Sequence, residues 1–184
     1  MKKLLFALML FMPVIAFAQD CQYETFEKDE FTGKKVIITK QERVTSGLMR
    51  KLFWNYRSYD NKVILDIYDF RDMTTDIFTI RKGNSFMIKL ANDEIITLKA
   101  NESKTSKYGK SSTSIAISLD IDSLSLVKLS SIGIKKIRIY EREEYTEVDI
   151  SDKGSRIITN QTLCIINPPE IYSKKAKSKK DDAY

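Results

Sequence analysis

Histidine is absent from the 184-residue chain, and cysteine, proline and glycine are scarce, with two, three and six residues. Without an imidazole, the chain has no Ser-His-Asp or Cys-His nucleophile, no His-based zinc site and no histidine pH switch. The six glycines are isolated, so no Gly-rich phosphate-binding loop is present. The hydrophobic share of 42% is nevertheless typical of a globular protein, and this length favours a single domain.

The N-terminal residues 1–18 predict a signal peptide. Lys2 and Lys3 precede a run of about 14 uncharged residues, which is too short for a hydrocarbon core that needs about 20. Residues 16–18, Ala-Phe-Ala, match a cleavage site, so Gln19 is the expected first residue of the mature protein. No second hydrophobic segment is long enough to span a membrane, so the mature protein should be soluble after export. The short Lys-Lys n-region is typical of bacterial signals, and we therefore expect the protein in the periplasm or outside the cell.

Export changes the interpretation of the two cysteines. Both Cys21 and Cys164 lie after the predicted cleavage site. In an oxidising compartment they have only one possible intramolecular pairing, and we predict a disulfide between them. The alternative is two unpaired thiols that lie too far apart to meet. Two cysteines without histidine are a poor ligand set, so we predict no metal site and no cofactor.

The middle of the chain alternates apolar and polar residues between short turn signals. Gly83-Asn84 and Asn92-Asp93 are such signals, and the segments beside them repeat with period two. Period two bounded by Gly, Asn or Asp pairs is the pattern of β-hairpins. We therefore predict a meander of three consecutive strands, at residues 76–81, 85–90 and 94–99.

The most regular strand pattern is followed by a change to helical period. Aliphatic residues occupy alternate positions over residues 115–121, which predicts a half-buried antiparallel strand. Asp122 is then a candidate helix N-cap and Gly133 a candidate C′ residue, which bounds a helix of about ten residues. The chain returns to strand around Ile137 and Ile139.

Other segments give weaker signals. In the segment 63–67, Ile64 and the adjacent Tyr68 make the second strand face partly apolar. Residues 155–166 fit either a short helix or a strand that ends at Cys164. The segments predicted as strands are 23–26, 36–39, 48–57 and 63–67, the third because aromatic residues favour strand over helix.

Two polar segments complete the layout. Residues 101–114, rich in Asn, Ser, Lys and Thr, predict a mobile loop between two strands. Beyond Pro168 and Pro169, five lysines without a large apolar neighbour predict a disordered basic tail. We therefore divide the chain into a signal peptide (1–18), a single β-rich domain (19–170) and a Lys-rich tail (171–184).

The predicted fold class is mainly β or α+β. Strands joined by short turns, with one or two short helices, indicate an antiparallel sheet that is a meander, sandwich-like or backed by a helix. No regular crossover helices separate the strands, which excludes a doubly wound parallel sheet.

The aromatic cluster at residues 53–59 is the best candidate for recognition. It holds the only tryptophan, and exposed aromatic side chains next to Arg and Asn can stack on sugar rings or bases, or anchor a protein. We take Trp54, Tyr56 and Tyr59 as candidate binding residues. Alternation, however, places Trp54 and Tyr56 on one strand face and Phe53 and Asn55 on the other, and one of these faces can simply be core.

Carboxylates are the only plausible acid-base groups. Glu141 and Glu143 share a strand face, as do Glu147 and Asp149, and residues two apart lie about 6.5–7 Å apart. Paired carboxylates at about this spacing hydrolyse glycosides, but alternating basic residues here favour a solvated strand. The set Asp66, Asp69 and Asp72 lacks a calcium-loop pattern, and turn capping is the favoured role for it.

Three short segments together resemble small uncharacterised exported proteins of Bacteroidetes-type bacteria. They are Asp29-Glu30-Phe31-Thr32-Gly33-Lys34-Lys35, Lys82-Gly83-Asn84 and residues 131–139, Ser-Ile-Gly-Ile-Lys-Lys-Ile-Arg-Ile. The resemblance implies export and a sheet-rich fold, and it brings no activity or site residues.

Our leading hypothesis is a non-catalytic exported or cell-envelope module, either structural or binding an envelope protein or glycan. The alternative is a carboxylate-dependent hydrolase acting on envelope or extracellular glycans. A nucleic-acid partner is not expected, because the lysines are scattered or in the tail and export removes the usual partners. After signal cleavage we expect no transmembrane segment.

Overall fold

The computed structural model of the chain describes residues 21–60, 62–74, 76–109, 111–141 and 144–169. The predicted signal peptide and basic tail lie outside these residues. In chain order, the strands are β1 (Tyr23–Lys28), β2 (Lys35–Thr39), β3 (Glu42–Arg43), β4 (Arg50–Tyr59), β5 (Lys62–Asp72), β6 (Thr79–Ile80), β7 (Ser85–Leu90), β8 (Ile95–Lys99), β9 (Lys104–Thr105), β10 (Lys107–Tyr108), β11 (Ser112–Asp120), β12 (Ile134–Glu141) and β13 (Glu144–Asp149). The helices are α1 (Ser123–Ser131) and α2 (Asp152–Ile166). The predicted mainly β or α+β class is confirmed.

Seven strands form a large antiparallel sheet in the order β1-β2-β4-β5-β11-β10, with β3 paired to β4. The two longest strands pair along their whole length, from Arg50 opposite Arg71 to Tyr59 opposite Lys62. β11 occupies the other edge of β5. The strands predicted at 23–26, 36–39, 48–57, 63–67 and 115–121 are all confirmed as members of this sheet.

A smaller sheet has the order β13-β12-β7-β8, and β6 and β9 form a separate pair. The hairpin predicted from residues 85–90 and 94–99 is confirmed as β7 and β8. The predicted pairing of the first meander strand with the second is wrong, because β6 pairs with β9. Both edges of β7 are already occupied, by β8 and β12, so β6 has no free edge of β7 to join.

The segment 101–114, predicted as a mobile loop, contains β9, β10 and the start of β11. Asn101 anchors its beginning: the Asn101 amide N–H donates to the Ser118 carbonyl over 3.0 Å, and the Asn101 side-chain oxygen accepts from the Asp120 amide over 2.9 Å. Polar composition misled the prediction here, because short strands at a sheet edge need no apolar side chains.

The inner faces of the two sheets enclose one hydrophobic core together with both helices. On β11 the alternate residues Ile115, Ile117 and Leu119 are buried, as the period-two pattern predicts. α2 covers β2 and β4 on this side. Among the described residues no helix lies on the opposite, outer face of the large sheet, where Tyr59 and Tyr68 are exposed.

The helix α1 begins and ends where the sequence predicts. Asp122 is its N-cap, and the Asp122 carboxylate accepts a 2.8 Å hydrogen bond from the Ser125 amide. This bond, with a second from the Ser125 hydroxyl, lowers the pKa of Asp122. Gly133 follows the C-cap Ile132 and so occupies the C′ position.

The ambiguous segment 155–166 is the greater part of the helix α2. Ser151 caps α2 by accepting a hydrogen bond from the Gly154 amide over 3.1 Å. Gly154 lies directly on the backbone of Val44: a Cβ atom added to it would lie 1.9 Å from the Val44 carbonyl oxygen. Within the described part of the chain, neither helix combines the length and hydrophobicity needed to cross a membrane.

Replacing Gly154 with Ala should lower the free energy of unfolding by roughly 1–3 kcal/mol, because the new methyl group forces α2 away from Val44. The same substitution inside an ordinary helix raises stability by about 1 kcal/mol, so the sign is diagnostic. Urea denaturation of the variant measures the effect. Gly47→Ala is the matched control, since its Cβ would lie 3.6 Å from the nearest atom. Equal stability changes in the two variants would contradict the close approach.

The predicted disulfide between Cys21 and Cys164 is confirmed, and it links residues 143 positions apart. It joins the segment before β1 to the last turn of α2. The Tyr23 hydroxyl donates to the Cys164 carbonyl over 3.1 Å at the same place. The cross-link therefore holds α2 against the β1 edge of the large sheet.

Candidate functional site

Two of the three predicted binding residues belong to the core. Trp54 and Tyr56 are both 0% exposed, and their rings pack edge to face with centroids 5.9 Å apart. The Tyr56 hydroxyl shares a 2.7 Å hydrogen bond with the Thr162 hydroxyl of α2, and burial raises the pKa of Tyr56. A completely buried side chain cannot contact a partner, so the binding role predicted for Trp54 and Tyr56 is wrong. Tyr59, the third residue, is 42% exposed.

A group of aromatic residues with solvent contact lies on the outer face of the large sheet. Phe53 and Tyr59 project there from β4, on the face opposite Trp54 and Tyr56. The neighbouring strand β5 adds Tyr68, which is 38% exposed and lies directly opposite Phe53, and the partly buried Phe70. Sequence reasoning missed Tyr68 and Phe70 as site residues, although the partly apolar second face of β5 was the signal that could have found them.

Phe53, Tyr68 and Phe70 line a groove of about 450 Å³ that crosses the strands of the sheet, whereas Tyr59 does not line it. The strand register builds it from two rows of side chains. One row runs from Phe53 through Tyr68 to Ala116, and the other from Phe70 through Ser114 to Lys107. We call this feature the aromatic groove and define it by these six residues. Gln41 and Lys104 complete its two ends.

The ion pairs of the outer face lie beside the aromatic groove. Lys51 pairs with Asp72 over 2.6 Å, and its ammonium group lies 5.0 Å from the centre of the Phe70 ring. Asp66 is held by the Arg57 guanidinium and by the Ser118 hydroxyl, the latter over 2.7 Å. The hydrogen bond to Asp66 raises the pKa of Arg57. Both carboxylates are therefore neutralised by cations of the same face.

The three aspartates of β5 do not form one cluster. Asp66 and Asp72 project from the outer face, whereas Asp69 is on the inner face and is 0% exposed. Because they alternate across the sheet, they cannot converge on a single cation. The predicted turn-capping role is also wrong, since all three lie within a strand and form ion pairs with basic side chains.

Asp69 is the centre of a buried ion network beneath the groove. Arg50 donates to both of its carboxylate oxygens, over 2.9 and 2.6 Å, and Arg71 donates to one of them over 2.8 Å. Arg71 also pairs with Glu141 and lies over the Phe78 ring at 3.7 Å. Burial lowers the pKa of Arg71, but Glu141 and Asp69 outweigh this effect and the pKa is raised. The network links β4 and β5 to the end of β12.

The predicted carboxylate pairs have different surroundings. Glu141 lines a cleft of about 610 Å³ together with Glu144, Arg81 and Asn84. Arg71 and the Thr146 hydroxyl both donate to the Glu141 carboxylate. Glu143, its predicted partner, lies outside the described residues.

The second pair lies on the outer face of the small sheet. Arg138 donates to Glu147 over 2.9 Å and Lys136 over 3.0 Å, and these bonds lower the pKa of Glu147. Asp149 is 3.5 Å from Lys136, and its side chain is 86% exposed. Glu147 and Asp149 therefore lie on a solvated strand with alternating charges, which is the interpretation that the sequence favours.

A search of protein-family models, of curated proteins and of solved structures finds no match for this chain.

Proposed function

We propose that the chain is an exported, non-catalytic binding module of the cell envelope or extracellular space, and that it binds glycans through the aromatic groove. The observation that carries the proposal is the groove itself: the exposed Tyr68 and the half-buried Phe53 and Phe70 line it on a sheet face that no described helix covers. The N-terminal signal-peptide pattern supports export. The Cys21–Cys164 disulfide agrees with it, because disulfides persist in oxidising compartments.

The chemistry of the aromatic groove favours a sugar over a purely apolar ligand. Phe53, Tyr68 and Phe70 offer ring surface on one side, and β11 offers the small residues Ser114 and Ala116 on the other. A pyranose ring presents an apolar C–H face for an aromatic ring and hydroxyl groups for hydrogen bonds. Ligand sites commonly combine aromatic walls with a few polar groups in this way. Because the side chains of Ser114 and Ala116 are small, they leave room for the width of a sugar ring.

The alternative, a carboxylate-dependent hydrolase, would use Glu141 and Glu144 in the cleft. A glycoside hydrolase needs two carboxyl groups that are free to reach the sugar. At Glu141 the Arg71 guanidinium and the Thr146 hydroxyl already occupy the carboxylate. Two opposed glutamates at the end of a hairpin are therefore a weaker basis for function than the groove.

We expect the purified protein to be retarded in affinity electrophoresis by at least one soluble polysaccharide from a panel of dextran, a β-glucan, a xylan, polygalacturonate and alginate. The double variant Tyr68→Ala/Phe70→Ala should weaken the retardation at least ten-fold, because stacking on each ring contributes about 1 kcal/mol or more. No reducing ends should accumulate during incubation.

Tyr145→Ala is the matched control, since Tyr145 is 51% exposed and lies on β13 of the other sheet. It should bind as the wild type does. Absence of retardation by every polysaccharide, or equal retardation of the groove variant and the wild type, would overturn the proposal. Release of reducing ends that Glu144→Gln abolishes would support the hydrolase instead.

A further inference from the structure

We infer that the ligand of the aromatic groove is an acidic glycan, one whose sugar rings carry carboxylate groups; the inference rests on the proposed function. It follows from how charge is distributed around the groove. Cations lie at the end formed by β9 and β10, and the carboxylates of the neighbouring strands are engaged with other partners or face away.

Lys107 is the first element of this charge distribution. It lies on β10 opposite Ser114, in the same row as Phe70, and its side chain is exposed and lines the groove. Within the described residues Lys107 forms no ion pair. Lys104 lines the same end and pairs with Glu102 over 2.7 Å. The ammonium group of Lys107 is therefore available to a ligand carboxylate.

The carboxylates near the groove do not offset this charge. Asp69 belongs to the strand segment between Tyr68 and Phe70, but its side chain is on the inner face with Arg50 and Arg71. On the outer face Asp72 is neutralised by Lys51. The groove consequently presents a net positive charge at one end of an aromatic surface. An anionic ligand with apolar ring faces is complementary to both features.

The position of the groove favours a glycan over an acidic peptide. It crosses β4, β5 and β11 on the face of the sheet, and the central strand β5 is paired on both edges, by β4 and β11. A peptide that binds as an added strand needs a free sheet edge instead. A sugar polymer needs only ring faces and charged or hydroxyl groups, which this face provides.

The test compares polygalacturonate and alginate with their esters, methyl-esterified pectin and propylene glycol alginate, in which the carboxylates are neutral. We expect the protein to bind at least one acid form about five-fold or more tighter than its ester at low salt. The preference should shrink toward 0.5 M salt, because ions screen exposed charges. Lys107→Gln should weaken binding of the acid form roughly two- to five-fold, the range of an exposed ion pair, and weaken binding of the ester less. Lys107→Arg should retain the preference.

Lys99→Gln, on the outer side of the small sheet, is the control for net charge and should bind as the wild type does. Polyglutamate is the control for charge without sugar rings and should bind at least ten-fold more weakly than the acidic glycan. Equal affinity for acid and ester, no effect of Lys107→Gln, or equal binding of polyglutamate would overturn the inference. If one of these results is obtained and a neutral glycan still binds through the groove, the proposed function stands. If no glycan binds at all, both the inference and the proposed function are overturned.

Discussion

Reduction of the Cys21–Cys164 disulfide should lower the free energy of unfolding by about 4–5 kcal/mol. The bond closes a loop of 143 positions, and the loss of chain entropy in the unfolded state grows with loop length. Urea denaturation with and without reductant measures the difference. Mass analysis after alkylation should find two free thiols only in the reduced protein.

The variant Cys21→Ala/Cys164→Ala separates the cross-link from the packing of the sulfur atoms. Cys164 is buried, so its truncation adds a modest packing cost to the loss of the cross-link. We expect the variant to be at least as destabilised as the reduced wild type. If reduction leaves the urea midpoint unchanged while the variant is destabilised, the packing of Cys164 accounts for the effect and the cross-link does not.

Replacing Asp69 with Asn should lower the free energy of unfolding by roughly 3–5 kcal/mol, because it leaves Arg50 and Arg71 without their shared carboxylate. The two guanidinium groups are largely buried and meet at this one carboxylate, so each loses a charge-assisted hydrogen bond and repels the other. Chemical denaturation at neutral pH measures the loss. Since Asp69 lies between Tyr68 and Phe70 on β5, the variant should also weaken glycan binding under conditions close to its unfolding midpoint.

Asp149→Asn provides the control, because the side chain of Asp149 is 86% exposed and its pairing with Lys136 should contribute less than about 1 kcal/mol. The double variant Asp69→Leu/Arg50→Met also removes one of the two guanidinium charges that lose their carboxylate partner. It should recover part of the stability that Asp69→Asn loses. A cost for Asp69→Asn no greater than that for Asp149→Asn would show that the buried network does not stabilise the sheet.

The parts of the fold that follow from local pattern were predictable. Alternation over residues 115–121 and the turn at Asn92-Asp93 identify β11 and the β7–β8 hairpin, because strand faces and tight turns depend on a few adjacent residues. Asp122 marks the start of α1 for the same reason: an N-cap acts on the amide three residues ahead.

Pairings between distant segments were not predictable. The partner of β6 is β9, some 25 residues later, and nothing in residues 79–80 specifies it. The helical state of α2 was also ambiguous, because its apolar face depends on what covers it. Gly154 approaches Val44, and the Gln161 amide donates to the Lys40 carbonyl over 2.8 Å, contacts that only the folded chain creates.

The sequence by itself determined that Trp54 and Tyr56 share one face of a strand and Phe53 the other, because side chains alternate along any extended chain. Tertiary structure decided which face is core: α2, whose Thr162 is 106 positions from Tyr56, covers the tryptophan side, and Phe53 on the other side is only partly buried. The register of β4, β5, β11 and β10 then placed Tyr68 opposite Phe53 and put Phe70 and Lys107 in the second row of the groove. A groove assembled across four strands depends on that register, and no single segment of the chain contains it.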